Sequence, residues 1–302
     1  MTPVKPASSS CPYACRIHNP EGRSAMDSIK SILVHLDGTA RAQGRMRLAR
    51  QLADIHQASL TALFAVAPRY LPLLPLAGGV PSVPMPAEIN PDHRARAVAS
   101  FEIENKAGAS ASHWLELSGE PVVETFTRRA LCSDLLVLGQ RDPADADGFD
   151  VPGDLAEAVI VDSGRPAIII PFASQALAAP QTVLVAWKAT RESARALTAA
   201  LPFLRQARQV HLVCADGSGD ETQAVPVQVS EWLRLHGISH PHEHRQIRDR
   251  HAGDDLLSRA AEIGADLIVM GCYGHSRMRE LVLGGATLTV LDSMTVPVLM
   301  AH

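Results

Sequence analysis

Short apolar runs alternate with helix-period segments along most of the chain, and the pattern is clearest in the C-terminal part. There the alternation predicts strands over Thr182–Ala186, Gln209–Ala215, His242–Ile247, Leu267–Met270 and Val296–Ala301. Helices are predicted over Arg191–Gln206, Val225–His236, Asp254–Ile263 and Ala286–Ser293. In the first of these, Ala194, Leu197, Leu201 and Leu204 form one apolar stripe. Gly237 and Gly264 stand where two of the helices would end, the usual place for a left-handed residue. Leu267–Met270 and Ile168–Ile170 are apolar at every position. That suits strands of a parallel sheet covered on both faces. Strand and helix in strict alternation imply a doubly wound α/β sheet, whose ligands bind beyond the carboxyl ends of the strands at the switch point.

The pattern occurs twice. Ile32-Leu-Val-His-Leu-Asp-Gly-Thr39 pairs with Val183-Leu-Val-Ala-Trp-Lys-Ala-Thr190, and Ser133-Asp-Leu-Leu-Val-Leu-Gly139 pairs with Ala265-Asp-Leu-Ile-Val-Met-Gly271. Val161–Ile170 pairs with Leu291–Met300. The repeating unit, about 120 to 140 residues, is domain-sized rather than solenoid-sized. The expected division is a disordered extension over 1–26, a first domain over 27–172 and a second over 181–302, joined by the Ala-rich segment Ala173–Pro180. The first unit also carries an insertion, Pro68–Pro91, read as a long loop between its second strand and the next helix. The apolar ends Ile168–Ile170 and Val298–Met300 would be aggregation-prone if left as open edges. Antiparallel pairing of one against the other would cover both.

The strand Leu267–Met270 feeds a turn with Gly271, Gly274 and Gly284, followed by Gly285 and the helix that opens at Ala286. Glycine permits close backbone approach, and the amides and positive dipole end of a helix favour an anion, so this is phosphate-cradle chemistry. Arg277 and Arg279 lie in the same loop and offer charge-assisted contacts.

Composition narrows the function. The chain has 302 residues, a formal net charge of −4 and a hydrophobic share of 46%, which leaves no basic excess for nucleic acid and no apolar run long enough to span a membrane. Met1–Met26 is Pro/Ser-rich without the apolar core of a signal peptide. Five scattered cysteines make no disulfide framework, so a reducing, cytoplasmic compartment is expected, and Cys11 with Cys15 lacks a second metal-ligand pair.

On the repeat, the glycine spacing and the strand order, the chain resembles the universal stress protein family. The resemblance covers nearly all of Met26–His302. It implies two flavodoxin-like, adenine-nucleotide-α-hydrolase-like three-layer sandwiches with five-stranded parallel sheets, packed as an intramolecular pseudo-dimer. It also implies an ATP site, with Mg²⁺ accompanying the nucleotide. Nucleotide-binding members carry a Ser or Thr after the third glycine, where this chain has Gly285, and an aspartate at the first strand end, where the second unit has Lys188. The first unit keeps Asp37, Gly38 and Thr39 at that strand end. Its glycine spacing is lost, with only Gly153 resembling the third glycine, and Asp142–Asp150 holds four aspartates that would repel a phosphate.

The candidate ligand residues are therefore Gly271, Gly274, Arg277, Gly284, Gly285, Ala286 and Lys188, all in the second unit, with no catalytic and no metal-binding residue assigned. Asp37 is read as a cap of the following helix in preference to a nucleotide contact. His242 and His244 would share one strand face, a spacing that suits either a metal or an exposed edge, and the edge is the favoured reading. The functional reading is a cytoplasmic stress-response protein with one adenine-nucleotide site and at most slow ATP hydrolysis. A nucleotide-independent scaffold and a nucleotide α-hydrolase enzyme remain alternatives, and further homodimerisation stays open.

Overall fold

A computed structural model describes residues 29–68, 70–71, 85–86, 89–117, 121–172, 178–216, 227–244, 247–248, 251–272 and 285–302. In the first half the strands are β1 (Ser31–Leu36), β2 (Ser59–Ala65), β3 (Tyr70–Leu71), β4 (Met85–Pro86), β5 (Ser112–Leu117), β6 (Leu135–Gly139) and β7 (Ala167–Ile170). Its helices are α1 (Ala42–His56), α2 (Pro91–Ala107), α3 (Val122–Ala130) and α4 (Leu155–Ser163). The second half has β8 (Thr182–Trp187), β9 (Gln209–Asp216), β10 (His242–Glu243), β11 (Ile247–Arg248), β12 (Leu267–Gly271) and β13 (Val298–Ala301). Its helices are α5 (Arg191–Leu204), α6 (Val227–Leu235), α7 (Ala252–Ile263) and α8 (Ala286–Ser293).

The main strands form one sheet in the order β10-β9-β8-β12-β13-β7-β6-β1-β2-β5. Every pairing in this order is parallel except β13 against β7. The order is thus the same five-strand pattern written twice and joined tail to tail. Val298 lies opposite Ile169, Leu299 opposite Ile168 and Met300 opposite Ala167, which is the expected antiparallel seam.

Successive strand side chains point to opposite faces, and both faces are covered. Ile32, Val34 and Leu36 of β1 join one core with residues of α1, α2, α5 and α6. Leu33 joins the other core with residues of α3, α4, α7 and α8. Each core runs through both halves, so the seam is continuous packing as well as hydrogen bonding.

The details revise several expectations. His242–Ile247 is two short strands rather than one, with β10 and β11 each pairing β9. Helix α5 ends at Leu204, and Ala194 faces solvent, while Ala196, Leu197, Ala200 and Leu201 form its buried stripe. Pro202 sits inside its last turn. Within the insertion, β3 and β4 pair antiparallel and α2 starts at Pro91, capped by the Asn90 side chain accepting from the Asp92 N–H at 3.0 Å. Gly164 and Gly264 end α4 and α7 at φ 61° and 63°. Gly237 has φ 89°, so all three take the left-handed region that favours glycine.

Candidate functional site

The sheet order reverses direction between β1 and β6 and again between β8 and β12. These are the switch points at which doubly wound sheets bind ligands. The two differ in what occupies them.

In the first half the carboxyl ends of β1 and β6 open on a cavity of about 350 Å³. His35, Asp37 and Arg45 line it, beside Gly139 and Gln140, the N-terminal turn of α4, and Leu291 and Asp292 from the second half. Arg45 comes from α1, and its guanidinium reaches back to the strand end. Its Nε–H donates to the His35 carbonyl at 3.0 Å, and its Nη2 lies 2.6 Å from Asp37 Oδ2. That last approach is a close, buried ion pair. The other carboxylate oxygen, Asp37 Oδ1, accepts from the Thr39 N–H at 2.9 Å and from its hydroxyl at 2.6 Å. Burial alone would raise the Asp37 carboxyl, but Arg45, His35 and the two Thr39 donors outweigh it and bring it down to about 2. His35 is buried, its Nε2 is 2.9 Å from the Ala65 carbonyl, and burial carries its pKa down to about 4.

Asp37 therefore does not cap the following helix, contrary to expectation. The helix N-cap is Arg41, which makes no side-chain cap bond, and the Asp37 carboxylate is taken by its own turn and by Arg45. The acidic loop is also answered within the fold. Arg41 lies 2.5 Å from Asp142 and 3.6 Å from Asp145, Arg96 lies 2.7 Å from Asp147, and His93 lies 2.6 Å from Asp150. Burial nevertheless pushes the Asp150 carboxyl up, against the pull of His93.

In the second half, Gly271 ends β12 and Lys188 directly follows β8. Since Met270 pairs with Ala186, the two residues lie at the same carboxyl end of adjacent parallel strands. A Cβ on Gly271 would lie 2.5 Å from the Ser193 nitrogen and 2.7 Å from the Glu192 carbonyl carbon. The glycine is thus required by close approach of α5. In the first half the position matching Gly271 is Gly139, and a Cβ there would instead meet the Arg45 guanidinium at 2.5 Å. The position matching Arg45 is Ala196, which is fully buried. An arginine between helix and strand holds the first switch point open, and an alanine lets α5 close on β12 in the second. Thr190 does cap α5, its hydroxyl accepting from the Ser193 N–H at 3.3 Å.

Gly285 precedes α8 with φ −65° and ψ 157°, and Ala286 is the first helical residue. No side chain caps this end among the described residues. Gly274, Arg277 and Gly284 lie outside the described residues, as does His275. The sequence reading missed Arg45, His35 and the cavity. The signal for Arg45 was available, as it is an arginine on the Ala42, Met46, Ala49 apolar stripe of α1, eight positions beyond Asp37.

The histidines gather at the far edge. His211 of β9 stacks on His242 and His244 at 4.8 and 4.9 Å between ring centroids, and its Nδ1 is 2.7 Å from His244 Nε2. The Ser230 hydroxyl donates to Glu243 at 2.6 Å, drawing that carboxylate elsewhere. Among the described residues no group of three or more His, Cys, Asp or Glu is placed to hold a metal.

An α/β sheet with a switch point in each half is the setting in which doubly wound folds hold ligands. Residues 180–302 match the model of the universal stress protein family, and this part of the chain is a domain of that family. A curated universal stress protein of Synechocystis is 41% identical over 49 residues, a match that covers 16% of this chain and only 17% of that relative. Among solved structures, a universal stress protein from Archaeoglobus fulgidus superposes with a TM-score of 0.63 at 17% identity, covering 89% of this chain and 95% of its own. A protein of unknown function from Pseudomonas aeruginosa superposes with a TM-score of 0.58 at 15% identity, covering 91% and 93%. These structures share the fold across both halves. No helix among the described residues is long and apolar enough to cross a membrane.

Proposed function

We propose that the chain is a tandem universal stress protein of the cytoplasm, with domains over 27–172 and 181–302 and one adenine-nucleotide site in the second. The carrying observation is the glycine spacing Gly271, Gly274 and Gly284 at a strand end of the β8–β12 switch point, ahead of the start of α8, which no side chain caps among the described residues. In this reading Gly271 sets the turn and Gly274 and Gly284 give close approach. The amides of Gly285 and Ala286 hold phosphate, and Arg277 and Lys188 supply positive charge. ATP is the ligand, with Mg²⁺ as its counter-ion. No general base is assigned, so the role is sensing rather than turnover.

Calorimetry of the purified chain with ATP, ADP and AMP, with and without Mg²⁺, tests this. Binding at micromolar ligand is expected, with loss in Gly274→Val because the added side chain would block the backbone. No heat at high micromolar ATP sinks the nucleotide site. A second reading, a nucleotide-independent scaffold, is favoured by one observation: α5 packing explains Gly271 without any ligand. The absence of ATP binding by the wild-type chain would favour it, whereas unchanged ATP affinity in Gly274→Val would place the nucleotide elsewhere.

A further inference from the structure

The residue after Gly139, where the first unit departs from the glycine pattern, is Gln140, and it is buried at the junction of the halves. Its side-chain Nε2 donates to the carbonyls of Leu291 at 2.7 Å and Asp292 at 3.2 Å. These are carbonyls of the last turn of α8, which has no intrahelical donor for them. Its Oε1 accepts from the Phe172 N–H at 3.1 Å, and its backbone N–H donates to the Ile170 carbonyl at 2.9 Å. One amide thus ties the ends of β6 and β7 to the C-terminal end of a helix from the other half. The same turn of α8 contributes Leu291 and Asp292 to the first-half cavity.

The other end of α8 begins at Gly285, only about 12 Å away at 1.5 Å per residue. Its first turns pack against α7, where a Cβ on Gly253 would meet Thr289 at 2.5 Å and the Ala286 carbonyl at 3.1 Å. Val290 and Met294 are buried in the core shared with α7 and β13. A short helix fixed at one end by the first half and at the other by the second moves as a unit.

We propose that α8 couples the two halves, with Gln140 as its latch. The state of the first-half cavity is then transmitted to Gly285 and the N-terminal end of α8 in the second half. This goes beyond nucleotide binding and does not depend on which ligand, if any, either half takes.

Hydrogen–deuterium exchange on full-length variants tests it without a ligand. Gln140→Leu keeps the volume and removes the donor. Losing the two bonds donated to the end of α8, and the one accepted from Phe172, should raise amide exchange in α8 at least roughly fivefold, since about 1 kcal/mol, the worth of one such bond, is that factor. The rise should extend to α7, which packs against α8. Gln140→Lys restores a donor to the helix end and should bring both helices back toward the wild type. Ala156→Met narrows the cavity from the α4 wall and should also change exchange in α7. If Gln140→Leu does not fold, Gln140→Asn keeps the amide but falls one methylene short, and carries the same expectation. Unchanged exchange in α8, a change confined to Leu291–Met294, or no response of α7 to Ala156→Met would each overturn the coupling.

Discussion

Arg45 and Asp37 decide the character of the first switch point. Both are buried, and removing one partner of such a pair strands the other charge, at a cost of about 3 to 5 kcal/mol. Arg45→Met should therefore destabilise strongly in urea melts, and Asp37→Leu likewise. The double variant should recover much of the loss, because the pair's own desolvation disappears with it. Additive losses in the double variant would show that the two residues act separately. His35 beside them gives a pH signature. Its folded pKa of about 4 lies below the ordinary 6.5, so the unfolded chain takes up a proton that the folded chain refuses. Stability should fall as pH drops below about 6.5 and level off below about 4, by roughly 3 kcal/mol for this group. The Asp37 carboxyl acts lower, its contribution present above its ordinary 3.8 and lost as pH falls toward about 2. His35→Gln should flatten the upper part of the curve, and an unchanged slope between pH 6.5 and 4 would assign it to other groups. The arginine was hard to see in the sequence because a charge on an apolar stripe reads as a flaw in the helix. Its partner is supplied only when the strand end folds against it.

At the scale of elements, periodicity carried most of the information. Helix α8 falls where the pattern placed it, and β8, β9 and β12 differ from expectation by a residue at one end. Burial on two faces leaves no other arrangement for unbroken apolar runs, which is why those strands were legible. The β10–β11 region was not, because its residues apart from Ile247 are polar and its pairing depends on β9 rather than on its own pattern. Glycine was ambiguous for a related reason: spacing shows that a Cβ is excluded but not what excludes it. Two glycines separate the cases. A Cβ at Gly271 meets backbone of α5, which cannot rotate away, so Gly271→Ala should cost about 1 to 3 kcal/mol even without ligand. Gly44 lies exposed inside α1 with nothing within 4 Å of its added Cβ, so Gly44→Ala should stabilise by about 0.5 to 1 kcal/mol. Thermal melts of the two variants should move in opposite directions, and equal shifts would mean that α5 yields more readily than its packing implies.

For the whole molecule, the seam between β13 and β7 turns two sheets into one. Ala167–Ile170 and Val298–Ala301 are buried at every position, so each strand is a central strand only because the other is present. A parallel sheet cannot leave such a strand at its edge without offering unpaired amides and an apolar face to the next chain. The repeat in the sequence made this pairing legible, because two equal units ending in equal apolar strands have equal edges to hide. A chain cut after Phe172 would keep β7 and lose its cover. Expressed alone, residues 27–172 should pair through β7 with a second copy of themselves, or aggregate, and light scattering should report a dimer or larger species. A monodisperse monomer from this fragment would mean that the first half does not need its partner strand. The seam would then be a consequence of tethering the halves rather than the reason they stay together.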